Sequence, residues 1–259
     1  MKIKNGILSI LTAGVLGFGM SLTAQAEEDG VSVSGDIGVF SQYVWRGVPQ
    51  NGNKTAVQGD VGLAYEGLSA GAWFSNSYSV GTRDVVEFDF TLDYSGSIGD
   101  SGLGYSVGGI YYTYMYDSKS NFPELYVGLS YDAPVSPFVT AYFTVADSSN
   151  KFYKSGDIWV DFGLTGSLAG FDLSGTLSYV KFKKDPVNRP IVGGIDMWKS
   201  GLSMAALGAS KDFAVGDLTV TPSLTTTFPL IKKQADGFRY VYGAGLNTAE
   251  FVAGVNIGY

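Results

Sequence analysis

The side chains available for chemistry in this chain are acids, hydroxyls and a few bases, because histidine and cysteine are both absent. Histidine is the commonest general base and metal ligand, and cysteine supplies thiol nucleophiles and disulfides. Residues 67–71, GLSAG, match the G-x-S-x-G nucleophile elbow of hydrolases. That elbow needs a strand-to-helix turn and a histidine, whereas this segment lies between two strand-like stretches. We therefore predict that the protein is not an enzyme and uses no cofactor.

Three acids, Glu87, Asp89 and Asp93, form the most concentrated group of charges in one segment. Residues at i, i+2 and i+6 share one face of a β-strand. Such a face could bind a divalent cation, set the selectivity of a pore, or form the polar wall of a water-filled lumen. We favour the polar wall and predict no metal site.

The stretch 41–50, SQYVWRGVPQ, places two large aromatics beside an arginine. In an extended strand, Tyr43 and Trp45 point to one side and Arg46 points to the other. The alternation that leads into this stretch predicts one strand over 31–46. These residues raise the question of which surroundings the aromatic face and the terminal arginine of this strand would meet.

Twelve segments carry the period-two alternation of apolar and polar residues that indicates β-strands. They cover residues 31–46, 57–66, 68–79, 85–94, 103–116, 124–132, 137–146, 157–168, 171–179, 200–211, 218–228 and 250–259. Segments of about ten residues are long enough to cross a bilayer at the usual strand tilt. Short connections alternate with longer ones, and the longer ones are 47–55, 80–84, 117–123, 147–156, 183–199 and 229–249.

This organisation predicts an all-β fold, a transmembrane antiparallel up-and-down β-barrel of twelve strands, with ten or fourteen strands as alternatives. Segment 238–246 also alternates weakly. As a spanning strand it would make the count odd, against the even number of bacterial barrels, so we interpret it as an external extension of the last hairpin. A closed barrel is also the form in which a β-protein pairs all its backbone groups in lipid.

Both ends of the chain fit an exported protein. Residues 1–26 combine Lys2 and Lys4, an apolar stretch and a small-x-small pattern at 24–26, which predicts a cleaved secretory signal peptide. Residues 27–259 are then a single barrel domain. Removing the two lysines from a formal net charge of −7 leaves −9 for the mature chain, since residues 1–26 contain no acid. That charge argues against nucleic-acid binding.

The two faces of the predicted barrel receive different side chains. The aromatic girdle at the membrane interface is expected to contain Tyr43, Trp45, Tyr65, Tyr94 and Tyr259. The lumen is expected to receive Asp36, Asp60, Glu66, Glu87, Asp89, Asp93, Asp161 and Asp172, with Arg46 as the clearest base. Outer-membrane lipid is the expected partner of the apolar face. The closing strand 251–259 is expected to engage the barrel-assembly machinery.

Three stretches, SQYVWRGVPQ, AVQGDVGLAYEGLSAGAWFSN and VEFDFTLDYSG, resemble the opening of the Gcw-type, or TorF-type, family of exported Gram-negative proteins classed as porins by their architecture. The family pattern is S-x-Y-x-W-R-G, then Q-G, then G-x-x-x-G-x-W-x-S-N and E-x-D. The matching residues are Ser41, Tyr43, Trp45, Arg46, Gly47, Gln50, Gln58, Gly59, Gly71, Trp73, Ser75, Asn76, Glu87 and Asp89. The resemblance covers residues 35–96 and implies a barrel in the bacterial outer membrane, reached through the periplasm, without indicating a solute.

We therefore expect a porin-like channel for passive diffusion of small hydrophilic solutes or ions. A mild preference for cations is expected because acids outnumber bases in the lumen. The alternative is a structural or adhesive outer-membrane barrel with a plugged lumen that transports nothing. Arg46 is expected to pair with Glu87 or Asp89 on the fourth strand.

Overall fold

The computed structural model describes residues 30–185, 198–231, 239–241, 244–246 and 248–259. Most of these residues lie in twelve long strands. The strands are β1 (Ser32–Phe40), β2 (Ala56–Tyr65), β3 (Leu68–Val80), β4 (Arg83–Ser97), β5 (Leu103–Tyr114), β6 (Phe122–Tyr131), β7 (Val135–Thr144), β8 (Ile158–Leu168), β9 (Phe171–Lys181), β10 (Gly201–Ser210, resuming over Phe213–Val215), β11 (Leu218–Pro229) and β12 (Glu250–Gly258). The predicted signal peptide, residues 1–26, lies outside the described residues and stays a prediction.

The strands pair in chain order and the two ends of the sheet meet, so the barrel is closed. Every pairing is antiparallel; β1 joins β12 with Phe40 opposite Gly254, and β10 joins β11 with Met204 opposite Pro229. A closed ladder gives the backbone donors and acceptors of each strand a partner, which is the condition for crossing lipid. The expected twelve-strand, up-and-down all-β barrel is confirmed.

The two faces of the barrel differ in chemistry as the alternation predicts. Large apolar side chains stand on the outer face, for example Val61, Leu92 and Leu207, which are 58–62 % exposed. The residues between them point inward and are mostly small, hydroxyl-bearing or acidic. In the described part of the chain, no helix is long and apolar enough to cross a membrane, and the one helical segment is a short 3-10 turn over Ser118–Ser120.

Two boundaries differ from the sequence-based expectation, and a third segment agrees with its interpretation as an extension outside the barrel ladder. The first strand ends at Phe40 rather than at residue 46, because the chain then turns away from the wall. The connection expected over 80–84 is only a two-residue turn at 81–82, since β3 and β4 extend to 13 and 15 residues. Segment 238–246 contributes Arg239–Val241 and Ala244–Leu246, which pair with each other and not with the barrel.

One irregularity in the ladder changes which side chains face the lumen. The register between β9 and β10 shifts, so that Ser178 faces Met204 while Tyr179 faces Leu202. Ser203 is the extra residue of this bulge and is fully buried beside the inward-facing Met204. A bulge places two neighbouring residues on the same side, which strict alternation does not allow.

Candidate functional site

Residues 41–55 between β1 and β2 form the candidate site, and we call them the inner hairpin. Within them, Val44–Trp45 pairs with Val48–Pro49, and Arg46 and Gly47 form the connecting two-residue turn. Both turn residues have positive φ, 49° at Arg46 and 78° at Gly47. That combination is typical of the type I′ turn that closes the tightest hairpins. The turn therefore carries Arg46 at the tip of the hairpin.

Residues 42–51 of the inner hairpin lie in the barrel lumen, and residues 52–55 are exposed. Tyr43 and Val44 are each 2 % exposed, Arg46 is 3 % exposed and Val48 is 7 % exposed. Side chains on the lipid face are largely exposed, so burial this deep requires the interior of the barrel. The girdle positions expected for Tyr43 and Trp45 are wrong, because the strand ends before them and the chain bends inward.

Trp45 lies where the inner hairpin packs against the barrel wall. Three buried apolar clusters meet there. One joins Tyr43 and Val44 of the hairpin to β12 and β1–β3, one lies on β4–β6, and one joins Val48 of the hairpin to β6–β10 and to residues that follow β9 and β11. Trp45 packs against all three clusters. Its ring contacts Tyr112, Phe122 and Tyr153 edge-on, at 5.7–6.3 Å between ring centroids. Protein side chains therefore fill the lumen at the depth of the hairpin.

Arg46 makes a bidentate ion pair with Glu124 on β6. The Nη1 and Nη2 groups donate to the two carboxylate oxygens at 3.0 and 2.7 Å. The side chains of Arg46 and Glu124 are only 4 % and 1 % exposed. Glu124 also accepts hydrogen bonds from the hydroxyls of Tyr112 and Thr144, both at 3.2 Å. The expected pairing of Arg46 with Glu87 or Asp89 is wrong, because the hairpin carries the guanidinium across the lumen to the opposite wall.

Aromatic rings enclose the guanidinium of Arg46. Its Cζ lies 4.4 Å from the ring centroid of Trp45, 4.9 Å from that of Trp159 and 5.2 Å from that of Tyr142. All three distances are within the range of favourable cation–π contacts, which are strongest when water is excluded. Trp45 belongs to the hairpin, while Trp159 and Tyr142 belong to the wall.

A second layer of hydrogen bonds holds Trp159 in place. Its indole Nε1 donates to Asp161 at 2.7 Å, and Ser178 Oγ donates to the same carboxylate oxygen at 2.6 Å. Asp161 is fully buried. This carboxylate, expected to be a selectivity residue of the lumen, thus orients an aromatic ring that faces Arg46.

Glu87 and Asp89 lie on the other side of the inner hairpin. Glu87 is 1 % exposed and lies directly opposite Tyr114 across the β4–β5 ladder. Tyr43 also packs edge-on against Trp73, with ring centroids 5.2 Å apart. Within the described residues, no group of three or more His, Cys, Asp or Glu side chains could hold a metal ion. Glu87 is therefore a buried acid of the lumen wall on β4.

The remaining predicted lumen acids lie nearer the other mouth. Asp60 is 6 % exposed and faces Asp36 directly across the β1–β2 ladder. Asp93 accepts a hydrogen bond from Tyr126 at 2.7 Å, and Asp172 is exposed at the start of β9. Glu66 does not face the lumen, because it occupies the β2–β3 turn with φ 46° and is exposed.

Three girdle candidates keep an outward position. Tyr65 is 50 % exposed, Tyr94 is 47 % exposed and Tyr259 is 75 % exposed, all on the apolar face. Their contact with a membrane interface stays a prediction.

Residues 145–157, the connection between β7 and β8, cover the hairpin from the external side. Tyr153 stacks on Phe122 with ring centroids 3.7 Å apart. The buried Lys154 ammonium pairs with Asp147 at 3.2 Å and with Asp185 at 2.6 Å. The hydrogen bond to Asp185, together with that to Asp147, raises the pKa of Lys154 above its usual 10.5 against the opposing effect of burial.

Asp147 is the acceptor at the centre of this connection. Burial alone would raise its pKa. Hydrogen bonds from the backbone N–H of Ser155 and from the ammonium groups of Lys154 and Lys151 outweigh that effect and hold the pKa of Asp147 below 3.8. The ionised form of Asp147 is therefore the form that accepts these hydrogen bonds and holds the loop in its folded conformation.

The residues of the barrel wall that contact Arg46 were not predicted from the sequence. Glu124 and Trp159 lie in segments assigned to strands, but nothing in their local pattern links them to Arg46. The signal that could have found the hairpin was the R-G pair followed by Asn51 and Gly52, since such residues are typical of turns. An arginine directly before glycine after an apolar run is better suited to a hairpin tip than to a continuing strand.

A closed antiparallel barrel with an apolar outer face and a polar, hairpin-filled lumen defines a transmembrane β-barrel protein. The chain belongs to the family described as "Bacterial protein of unknown function (Gcw_chp)", which matches residues 24–228. That match confirms the resemblance found in residues 35–96. No curated protein matches the sequence.

Solved structures with a similar fold are outer-membrane barrels of low sequence identity. The KdgM porin is 9 % identical with a TM-score of 0.52, over 87 % of this chain and 98 % of that one. Outer membrane phospholipase A from Escherichia coli is 11 % identical with a TM-score of 0.48, over 87 % and 91 % of the two chains. OmpF of Salmonella typhi is 11 % identical with a TM-score of 0.40, over 88 % and 97 %.

Proposed function

We propose that this protein is a channel of the bacterial outer membrane for small hydrophilic solutes or ions, and that the inner hairpin is its gate. The observation that carries the proposal is the packing of Trp45 at the point where three buried clusters join the hairpin to the barrel wall, with ring contacts to Tyr112 and Phe122 of the wall. A barrel closed at this depth conducts only when the hairpin moves.

The backbone pairing of the inner hairpin supports a gate that can move relative to the barrel. Its two short strands form a separate two-stranded sheet and are not joined to the barrel ladder. Its contacts with the distant wall are made by side chains, such as the ion pair of Arg46 with Glu124. Displacing the hairpin therefore costs side-chain contacts but leaves the transmembrane ladder intact.

A mild cation preference is part of the proposal. The inner wall carries the buried carboxylates of Asp60, Glu87, Glu124 and Asp161. The buried bases among the described residues are Arg46, which belongs to the gate, and Lys154, which belongs to the loop that covers it. A lumen of one sign concentrates ions of the opposite sign.

The proposal includes export through the periplasm, membrane insertion and no enzymatic activity. The absence of histidine from the sequence removes the usual general base. The outward side chains of β12, including Phe251 at 61 % and Val255 at 44 % exposure, suit lipid and recognition by the barrel-assembly machinery. The proposal that lipid and the barrel-assembly machinery are partners rests on the sequence pattern of residues 251–259.

A barrel that transports nothing is the second candidate, and the filled lumen favours it. The same burial that closes the channel would also stabilise a permanent plug. The two candidates differ in one respect: a gate leaves a usable pathway when the hairpin is removed, whereas a structural barrel has no reason to keep one.

The test removes the hairpin without disturbing the wall. Phe40 and Ala56 face each other across the β1–β2 ladder, so a short Asn-Gly-containing turn can replace residues 41–55. The purified, refolded protein and this hairpin-less variant are compared by single-channel recording in planar bilayers. We expect little or no conductance from the intact protein and steady, cation-preferring steps from the variant.

The matched control shortens the loop that covers the hairpin. Phe143 and Ile158 face each other across the β7–β8 ladder, so the same turn can replace residues 145–157. This loop contributes Tyr153 to the packing around Trp45, but its removal leaves the hairpin itself in the lumen, so it should open the channel far less. Silence from a correctly folded hairpin-less barrel would support the non-transporting account instead.

A further inference from the structure

The wall opposite the inner hairpin forms a complete receptor for the guanidinium of Arg46. Its side chains come from four consecutive strands, β5 to β8, and we call them the wall site: Tyr112, Glu124, Tyr142, Thr144 and Trp159. Glu124 faces Thr144 directly across the ladder, and Tyr142 faces Trp159 in the same way. The positions of these groups are therefore set by the barrel rather than by the hairpin.

The wall site selects for a planar cation. Each oxygen of Glu124 accepts from a different guanidinium nitrogen, at 3.0 and 2.7 Å, which matches the fork of a guanidinium and not a compact ammonium. The rings of Trp159 and Tyr142 lie 4.9 and 5.2 Å from the guanidinium carbon. A carboxylate with aromatic faces beside it is a combination that binds organic cations.

Another acid lies beside the wall site. Asp89 on β4 faces Tyr112 of the wall site directly across the β4–β5 ladder. When Arg46 withdraws, the buried Glu124 carboxylate loses its counter-charge while its tyrosine and threonine donors stay in place. A buried carboxylate left without a cation is unfavourable, so a replacement cation is strongly preferred there.

We infer that the wall site binds solutes that carry a guanidinium or a similarly planar cationic group, and that Arg46 occupies it in the closed state as an internal mimic of such a solute. The inference rests on the proposed gating by the inner hairpin, and it specifies the solute class for which the gate opens. A solute that competes with Arg46 for Glu124 then favours the open state by mass action.

The first test is chemical rescue of Arg46→Ala by free guanidinium. Guanidinium chloride is added at low millimolar concentration, with sodium chloride and tetramethylammonium chloride at equal ionic strength and urea as the denaturant control. We expect guanidinium and methylguanidinium to raise the melting temperature of Arg46→Ala and the other additives to leave it unchanged. The intact protein, whose site is occupied, and the double variant Arg46→Ala/Glu124→Gln should show no rise.

The second test uses the hairpin-less barrel, which stays informative even where Arg46→Ala folds poorly. Guanidinium or arginine amide should block its potassium current in a saturable way. Replacement of Glu124 by Gln should weaken this block by about tenfold, since the bidentate charge-assisted contact is lost.

The outcomes separate this inference from the channel proposal. A hairpin-less barrel that conducts but is neither blocked nor stabilised by guanidinium overturns the wall site and leaves the channel intact. A silent barrel whose melting temperature rises with guanidinium overturns the channel and leaves the wall site. Absence of both effects overturns both.

Discussion

At the scale of single residues, the ion pair between Arg46 and Glu124 dominates the interior. Its two side chains are 4 % and 1 % exposed, so neither charge can be compensated by bulk water once its partner is lost. The desolvation cost of such a pair is offset only when the remaining hydrogen-bonding groups are satisfied. Here Tyr112 and Thr144 provide additional donors to Glu124, so the pair is well matched.

Replacement of Arg46 by Ala should lower the free energy of unfolding by roughly 3–5 kcal/mol, the usual effect of leaving one member of a buried ion pair unpaired. The measurement is urea unfolding of the refolded protein in detergent. Lys151→Ala is the control, because the Lys151–Asp147 pair is 44 % and 30 % exposed and exposed pairs contribute about 0–1 kcal/mol. Equal effects of the two changes would contradict the buried role of Arg46.

At the scale of elements, the inner hairpin depends on its two-residue turn. Gly47 has φ 78°, a conformation that costs a side-chain-bearing residue energy, and a Cβ there would lie 3.1 Å from the sulfur of Met204. The glycine thus lets the backbone turn and lets the tip of the hairpin approach β10. Both requirements come from the hairpin lying inside the barrel.

Gly47→Ala should destabilise the hairpin by about 1–2 kcal/mol, from the left-handed backbone and the tight contact together. In bilayer recordings this change should increase the frequency of channel opening. Gly52→Ala is the matched control, since Gly52 has φ 65° but a Cβ added there would meet no atom within 4 Å. The control should show the backbone effect alone, and an identical response of both variants would argue against close packing on Met204.

The loop over 145–157 should respond to acid through Asp147. Its pKa is held below 3.8 in the folded loop, so the stabilisation it provides is complete above pH 3.8 and disappears as the pH falls through the lower folded value. Hydrogen exchange of the Ser155 amide, corrected for intrinsic rates, should therefore accelerate in that acid range. Asp147→Asn should show the faster exchange at neutral pH and no acid step; an acid step retained by this variant would assign it to another group.

At the scale of the whole molecule, the lumen is acidic and the buried base Arg46 belongs to the gate. Asp36 and Asp60 face each other on neighbouring strands, away from the inner hairpin. They should therefore remain in the wall of the conducting pathway after the hairpin is removed. In the proposed channel, we expect their charge to contribute to ion selectivity and not to closure.

In the hairpin-less barrel, Asp60→Asn should reduce the preference for cations, read as a smaller reversal potential in a potassium chloride gradient. The reason is the loss of a carboxylate that is 6 % exposed and faces the lumen. Glu66→Gln is the control with the same loss of charge, because Glu66 is exposed in the β2–β3 turn. An equal shift in both variants would show that net charge, not position, determines the selectivity.

Much of the barrel could be predicted because each strand has one face in lipid and one in the lumen. That difference imposes a period of two on the sequence, and the period is local, as in β4, where Phe88, Phe90 and Leu92 alternate with polar residues. The absence of histidine and cysteine, which is visible from composition alone, likewise reduced the number of reaction types to consider. The strand count followed from the number of such segments.

The inner hairpin could be predicted only in part. Tyr43 and Trp45 continue the alternation of β1, and only the R-G pair indicated a turn. An aromatic ring finds apolar surroundings both in lipid and in a packed lumen. Alternation with a period of two therefore does not tell which of the two the ring faces. The alternation therefore led to the wrong side of the barrel for both aromatics.

Composition and the pattern along each strand were enough to predict the class of fold, the closed barrel and the family, because these depend on neighbours within one strand. The entry of residues 42–51 into the lumen became clear only from the three-dimensional arrangement of the strands. The same holds for the pairing of Arg46 with Glu124, 78 positions away in the chain. Such a contact depends on barrel diameter and on the closure of β1 against β12, which bring distant strands face to face. Neither segment contains a local sequence pattern that indicates this long-range contact.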